Sequence, residues 1–323
     1  MFEIAWYIIF SAFVLDFILG DPGWLPHPIV GMGNAISFFE GKFRKPFKKN
    51  QANRMIFSGL VFALFLIGST WLISFCLVKI FTLIHPLLGL GVQALLLFYC
   101  FSAKSLVQAA HEVSLPLGAQ DIETARKKVA MIVGRQTHTL DEAAVTRATV
   151  ETVAENFVDG FLSPLFFALL FGVPGALAYK MINTLDSMVG YKNETYMFFG
   201  RASARIDDVA NFIPARISVG MISFSAFLLS TRKGIQAFKT GLSQGNHHKS
   251  PNAGYPEAAF AGALEICMGG PNIYHGKLVE KPYIGKEFTN PDIHGIKRAC
   301  ELMMLSSLIS TLAACLLLLV LSA

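Results

Sequence analysis

Long apolar runs separated by polar stretches dominate the chain. Three runs contain no charged residue: residues 55–78, 80–103 with a turn at His85 and Pro86, and 302–323. Each has the ~20 apolar residues that a helix needs to cross the hydrocarbon core of a bilayer. A shorter run over residues 4–19, with Asp16 near its end, predicts one more helix.

Two central apolar runs are too short to be assigned in the same way. Residues 161–179 contain Pro164 and Pro174, and residues 217–231 form the second run. Each either spans the membrane or re-enters it, because broken helices are tolerated at membrane depth where protein surrounds them. We therefore predict an all-α polytopic integral membrane protein with four spans, cytoplasmic helical and loop regions, and a central pair of broken or re-entrant segments.

Composition agrees with this class and excludes others. Hydrophobic residues make up 53% of the 323 residues and charged residues only 15%, and the mean hydropathy is +0.51. Soluble, disordered, collagen-like and disulfide-scaffold chains differ from this composition. The net charge of +5 is spread over several loops, which predicts no nucleic-acid partner, and the five cysteines form no CxxC pair, which predicts no redox cofactor. Glu3 in place of a basic leader disfavours a cleaved signal peptide.

Loop charge predicts the orientation. Six basic residues lie within 41–54, so the positive-inside rule places that loop in the cytoplasm and both termini outside. We expect a multi-pass protein of the inner or plasma membrane whose active site faces the cytoplasm. The predicted regions are membrane helices over 1–103 with a basic loop over 20–54, cytoplasmic helices and a catalytic region at the membrane lip over 104–231, a loop-rich substrate region over 232–301, and a C-terminal span over 302–323.

The stretch ETVAENFVDG spaces three acids at four-residue intervals. In one α-helix, Glu151, Glu155 and Asp159 would share a face and repel one another. A divalent cation such as Mg²⁺ would offset that repulsion. A solvated acidic face is the alternative, but the helix leads directly into an apolar run, which favours a functional site at the membrane interface.

Two further polar clusters follow. KMINTLDSMVGYKNE places Lys180, Asn183 and Asp186 about one helical turn apart, and an ordinary juxtamembrane helix end is the alternative. GRASARIDDVANFIPARIS then combines arginines with acids. Arginines for phosphate oxygens and carboxylates for a metal suit a metal-complexed phosphate, whereas a salt bridge from Arg205 to Asp208 within the helix is the alternative.

The rest of the sequence gives only weak indications of phosphate or metal binding. No Walker A loop is present, and the histidines lack zinc-site spacing. A helix beginning near Pro256 and Glu257 would expose backbone N–H groups to an anion or only to water. GGPNIYHG predicts a structured loop.

The ordered set VETVAEN, NTLDSMVGYK and DDVANFIPAR, with VLDFILGDPGWLPHPIVGMG before it and SPNAGYPEAAFAGAL and GGPNIYHG after it, resembles the CobD/CbiB family of adenosylcobinamide-phosphate synthases. The matching stretches cover nearly the whole chain. The resemblance implies an ATP-dependent amide ligase that joins adenosylcobyric acid to (R)-1-aminopropan-2-ol O-phosphate. It implies Mg²⁺ and ATP, corrinoid and amino-alcohol phosphate substrates and a lipid bilayer, and it leaves room for a homo-oligomer or contacts with other membrane enzymes of cobalamin assembly.

On this hypothesis, the residues divide by role. Catalytic roles fall to Glu151, Glu155, Asp159, Asp186 and Asp208, and Mg²⁺ binding to Glu151, Glu155, Asp186 and Asp207 (Asp208 being an alternative to Asp207). Phosphate binding falls to Lys180, Asn183, Lys192, Arg201 and Arg205, and substrate binding to Asn211, Asn252, Glu257, Asn272 and Tyr274. A Mg²⁺-dependent prenyltransferase-like enzyme, or a transporter or sensor, remains the alternative. The hypothesis expects one site, so residues 161–179 should not separate the acidic clusters across the membrane.

Overall fold

A computed structural model describes residues 4–23, 26–44, 51–274 and 277–322, without the side chains of 272–278. The fold is helical, as predicted. Its helices are α1 Trp6–Leu19, α2 Pro28–Phe43, α3 Ala52–Ile84, α4 Pro86–Phe98, α5 Ala103–Gly118, α6 Ile122–Ala130, α7 Glu142–Phe157, α8 Ser163–Val189, α9 Arg201–Ala210, α10 Phe212–Leu229, α11 Thr231–Gln244, α12 Gly254–Leu264 and α13 Ile293–Ser322. A π-helical turn, Val158–Leu162, joins α7 to α8, and a 3-10 turn, Gly245–His247, follows α11.

Strands are few and short. β1 Met268–Gly269 pairs with β4 Tyr283–Ile284, and β2 Asn272–Tyr274 pairs with β3 Lys277–Val279, both antiparallel. Both pairs belong to the segment between α12 and α13, where the sequence predicted loops and short helices.

The chain forms two compact units, each built from separate parts of the sequence. Unit 1 contains Met1–Phe101, Ser163–Asn211 and Ala313–Ala323, and unit 2 contains Ser102–Leu162 and Phe212–Leu312. Each unit is therefore assembled from stretches that are distant in the sequence.

Five helical stretches of the described chain are long and apolar enough to cross a membrane: Ala52–Ile84, Pro86–Gly118, Glu142–Val189, Phe212–Leu229 and Ile293–Ser322. On α3, large apolar side chains such as Ile73 and Leu83 are well exposed. An apolar exterior of this kind is typical of lipid-facing helices and costly in water. The last helix begins at Ile293, nine residues before the apolar run that predicted it, because the amphipathic residues before Leu302 continue the same helix.

Helix boundaries follow local chemistry. His27 and His85 each precede a proline at the first helical position, and each ring Nδ1 accepts the backbone N–H of the residue after that proline. Asp121 and Asp141 cap α6 and α7 by accepting N–H groups three residues on, at 3.0 and 2.8 Å. Such caps satisfy N–H groups that have no partner inside the helix.

The predicted break in the central apolar run is present in α8. Gly172 has φ of 68° and ψ of −171°, two residues before Pro174. Proline removes a backbone donor and disfavours helical geometry in the residue before it, so the chain turns there at a glycine that tolerates positive φ. The helix resumes after this break and ends at Val189, directly before Gly190.

Candidate functional site

Glu151 is the centre of a buried polar group in unit 2. One of its oxygens forms an ion pair with Arg135, and the other accepts the backbone N–H of Gly269 at 2.7 Å. The two ionic side chains are only 8% and 7% exposed. Both oxygens of Glu151 are therefore engaged within the protein, and these contacts are those of a residue that positions the Gly269 segment.

The Gly269 segment needs glycine for a physical reason. Gly269 and Gly270 have φ of 76° and 86°, which side chains other than glycine rarely adopt. A Cβ at Gly269 would collide with the carbonyl oxygen of Pro282. The backbone thereby turns its N–H toward Glu151, while Nη1 of Arg147 donates to the Gly269 carbonyl at 3.3 Å.

Glu257 forms the other half of this group. It lies in the first turn of α12 and is almost fully buried, with Nε2 of His248 3.9 Å from its Oε1. Burial, followed by the nearby charges of Glu151 and Glu155, raises the pKa of Glu257 well above its usual value. A carboxyl group with a raised pKa binds a proton more readily than an ordinary glutamate does.

The ring of His248 has contacts at both nitrogens. Its Nδ1 accepts the backbone N–H of Ser250 at 3.0 Å. Nε2 also lies 3.3 Å from Nζ of Lys281. Burial, and then the charge of Lys281, lowers the pKa of His248 from 6.5 to about 4, so the ring is neutral at pH 7.

Glu155 follows Glu151 by one regular turn of α7, as predicted, whereas Asp159 departs from their shared face. Glu155 is exposed whereas Glu151 is buried. Asp159 lies in the π-helical turn, whose wider winding moves it out of the α-helical register of Glu151 and Glu155. The prediction of one uninterrupted α-helix through all three acids was wrong at this turn.

Asn211 connects the polar side chains of unit 1. Its Oδ1 accepts the hydroxyls of Ser163 at 2.7 Å and Tyr179 at 2.9 Å, and its Nδ2 donates to Oδ2 of Asp207 at 3.1 Å. Asn211 is buried. Its substrate-binding role remains a prediction, but these contacts show that it orients Asp207.

Asp186, Asp207 and Asp208 form an acidic group in unit 1. Burial, followed by the charge of Asp186 and a weaker effect of Asp208, raises the pKa of Asp207 from 3.8 to about 7. Asp208 forms an ion pair with Arg205 at 3.7 Å, which is the salt bridge that the sequence offered as an alternative. The clusters around residues 180–187 and 201–211 are thus brought together, as the one-site hypothesis expected of them.

The predicted phosphate-binding residues belong to unit 1 and differ in exposure. Lys192, Arg201 and Arg205 are exposed, and Lys180 and Asn183 are partly buried. The ion pair of Arg205 with Asp208 is described above. Asp186, Asp207 and Asp208 belong to unit 1, whereas Glu151 belongs to unit 2. The hypothesis that the two acidic clusters form one site therefore remains a prediction.

Mg²⁺ fits the acidic group of unit 1 by donor chemistry. The Asp207 carboxylate is largely buried and lies against the side-chain amides of Asn211 and Asn183. Mg²⁺ is commonly held by one or two carboxylates together with phosphate and water oxygens. Over the described chain, no group of three or more His, Cys, Asp or Glu side chains is arranged to hold a metal by itself. These residues therefore suit a cation that arrives with a nucleotide.

Sequence reasoning missed two residues of the Glu257 group, Arg135 and His248, because neither carried a motif signal. An arginine 16 residues before a buried glutamate is visible in sequence, but nothing there shows that they pair. Asn252 is buried beside Ser250, while the side chains of Asn272 and Tyr274 lie outside the described residues.

Candidate spans and buried charged groups together define a polytopic helical membrane protein. A family model described as CobD/Cbib protein matches residues 9–303. The chain belongs to this family.

Similar proteins support the same assignment. The chain is 44% identical over 304 residues to a protein of Klebsiella pneumoniae subsp. pneumoniae called cobalamin biosynthesis protein CobD, covering 94% of this chain and 93% of that one. It is 43% identical over 307 residues to cobalamin biosynthesis protein CbiB of Salmonella choleraesuis and to cobalamin biosynthesis protein CobD of Citrobacter koseri. Each of these matches covers 95% of this chain and 94% of the relative. No solved structure matches the chain.

Proposed function

We propose that this protein is a cobalamin-biosynthesis enzyme, specifically an ATP-dependent ligase that joins the carboxyl group of adenosylcobyric acid to an amino-alcohol phosphate. Membership of the CobD/CbiB family, with relatives named for cobalamin biosynthesis, carries the proposal. The buried charged groups support a reaction with proton transfer and phosphate chemistry.

The acidic group of unit 1 is proposed to bind the nucleotide. Asp186 and Asp207 would hold Mg²⁺, which would neutralise charge on the triphosphate, and Lys180 and Arg201 would contact phosphate oxygens. Asn211 keeps Asp207 in place through its amide N–H. In the first step, a carboxylate oxygen of the corrinoid attacks the terminal phosphorus, and ADP leaves.

Glu257 is proposed to act in the second step. The amine nitrogen attacks the acyl carbon, phosphate leaves, and the proton lost by nitrogen passes to Glu257. A carboxyl group with a raised pKa is a better proton acceptor than an ordinary glutamate. His248 and Lys281 border Glu257 and keep its surroundings polar. Glu151 acts as a positioning residue because it holds the Gly269 backbone.

The direct test is product formation by the purified, full-length protein in lipid nanodiscs. Adenosylcobyric acid, the amino-alcohol phosphate and Mg²⁺–ATP should give the amide, detected by mass, with one ADP released per product. Hydroxylamine should trap the acyl phosphate. Absence of product from folded wild-type protein would refute the ligase assignment.

Variants then test the residue roles. Glu257→Gln and Asp186→Asn should each lower kcat by about 10²-fold or more, the usual range for loss of an acid–base or electrostatic group. Glu265→Gln is the matched control, because Glu265 pairs with a well-exposed arginine. Wild-type turnover in both test variants would contradict the roles given to these carboxylates.

A further inference from the structure

The guanidinium group of Arg216, in unit 2, contacts two aromatic rings. It lies in the first turns of α10, and its Cζ is 3.5 Å from the ring centroid of Phe212 and 4.4 Å from that of Tyr255. Cation–π contacts hold a guanidinium plane without neutralising its charge. The side chain is therefore ordered but keeps its full positive charge.

The hydrogen bonds of Arg216 all go to neutral acceptors. Nη1 donates to the carbonyl of Phe212 at 2.6 Å and to Oδ1 of Asn252 at 3.4 Å, and Nη2 donates to the hydroxyl of Tyr255 at 3.4 Å. Within the described chain, no acidic side chain forms an ion pair with this guanidinium. An ordered arginine that lacks an acidic partner is suited to an anionic ligand.

The donors that remain have a shape suited to phosphate. A guanidinium has five N–H groups, and the three bonds above use both protons of Nη1 and one of Nη2. The Nε–H and one Nη2–H are left over, and the fork of a guanidinium directs donors of this kind at the oxygens of an oxyanion. Tyr255 accepts from Nη2 through its oxygen, which leaves its own O–H as a third donor.

A rigid segment supports this arrangement. Oγ of Ser250 accepts the backbone N–H groups of Asn252 and Ala253 at 3.3 Å each, and the N–H of Ser250 donates to His248. Asn252 is buried. The segment that places Asn252 against Arg216 therefore also fixes the ring beside Glu257.

We propose that Arg216, Asn252 and Tyr255 form a phosphate-binding subsite. Three donors match the three terminal oxygens of a phosphate ester. The phosphate comes either from the amino-alcohol substrate or from a lipid headgroup at this end of α10, and the first source rests on the proposed function. In the first case, the subsite selects the phosphorylated amine over the free amino alcohol.

Calorimetric binding to the full-length protein tests the subsite without requiring turnover. The probes are the amino-alcohol phosphate, the same amino alcohol without phosphate, and inorganic phosphate, in nanodiscs of zwitterionic lipid. Arg216→Lys should weaken binding of the phosphate ester at least tenfold, because lysine cannot form the fork. Tyr255→Phe should weaken it severalfold and leave the free amine unaffected. Arg232→Lys is the control, because Arg232 is an exposed arginine that pairs with Glu265.

Two further measurements distinguish a substrate phosphate from a lipid phosphate, and the subsite proposal from the proposed ligase function. If the ligand is a lipid, Arg216→Lys should instead reduce the anionic lipid retained on the purified protein, seen by native mass spectrometry, and leave binding of the soluble ester unchanged. With active protein, Arg216→Lys should raise the KM for the phosphorylated amine while kcat stays near wild type. If the wild-type protein forms no product but binds the phosphate ester in a way that depends on Arg216, the ligase proposal fails and the subsite proposal stands. The subsite proposal is overturned if the folded Arg216→Lys variant binds every phosphate probe with wild-type affinity and also retains anionic lipid as the wild type does.

Discussion

Gly269 donates its backbone N–H to Glu151 at 2.7 Å across 118 residues of sequence. This hydrogen bond joins α7 to the short strand β1, and the other oxygen of Glu151 is paired with Arg135. A buried carboxylate with an ionic partner on one side and a backbone donor on the other fixes its surroundings. The arrangement therefore links stability to the shape of the Gly269 segment.

Breaking the Arg135–Glu151 pair should destabilise unit 2 strongly. Arg135→Gln leaves the Glu151 carboxylate buried without its cation, which typically costs about 3–5 kcal/mol. Unfolding in mixed micelles would measure the loss. Arg232→Gln, on an exposed pair, should change stability by no more than about 1 kcal/mol. An equal loss in both variants would contradict the structural role of the buried pair.

Close packing at one glycine of α3 predicts a position-specific effect. A Cβ at Gly59 would collide with the carbonyl of Phe199, whereas a Cβ at Gly68 on the same helix meets nothing within 4 Å. We expect Gly59→Ala to destabilise the protein by about 1–3 kcal/mol, since backbone must shift. Gly68→Ala should be neutral or stabilising by up to about 1 kcal/mol, because alanine favours helix. Thermal unfolding of the two variants side by side tests the contrast.

The neutral state of His248 predicts a pH dependence of stability. Its folded pKa is about 4, below the unfolded value of 6.5, so the unfolded chain binds more protons between these values. Stability is then full above pH 6.5 and is lost as the pH falls toward 4, by at most about 3 kcal/mol. His248→Gln should flatten this part of the stability curve, and His138→Gln, at an exposed histidine, should not. Parallel curves for wild type and His248→Gln would contradict the prediction.

The contacts of Asn211 predict a graded series in unit 1. Tyr179→Phe removes one donor and should cost about 1 kcal/mol. Asn211→Leu leaves the Ser163 and Tyr179 hydroxyls without their acceptor and should cost about 2 kcal/mol or more. Chemical unfolding of the purified variants would rank them, and a larger loss for Tyr179→Phe than for Asn211→Leu would argue against the network.

Cysteine labelling from each side of the membrane tests whether the two acidic clusters face the same side. Single cysteines at Asn193 and His138 suit this purpose because both positions are exposed, whereas Thr137 is buried. Cys76 is the exposed native cysteine in the described chain and should be replaced first. The one-site hypothesis expects both positions to react from the cytoplasmic side. Reaction from opposite sides would exclude it.

The helical class and the break in the central run could be predicted because apolar length and proline act locally. Gly190 ending α8 is a further example, since it follows the last turn directly. The π-helical turn at Val158–Leu162 could not be predicted, because it adjusts one helix to its tertiary surroundings and leaves no periodic signal. It is also the reason that Asp159 departs from the face of Glu151.

Site partners were predicted where they are close in sequence and missed where they are distant. The pairing of Arg205 with Asp208 followed from their spacing on one helix. The pairing of Arg135 with Glu151, the approach of His248 to Glu257 and the rings around Arg216 depend on tertiary packing. One sequence contains no information on which distant residues meet.

The interleaved composition of the two units has a consequence for biosynthesis. Unit 1 includes residues from Ala313 onward, while its other parts end at Asn211. A ribosome releases the chain in order, so the early helices of unit 1 wait in the bilayer through the whole synthesis of residues 212–312. A chain stopped before Ala313 would therefore leave unit 1 permanently incomplete.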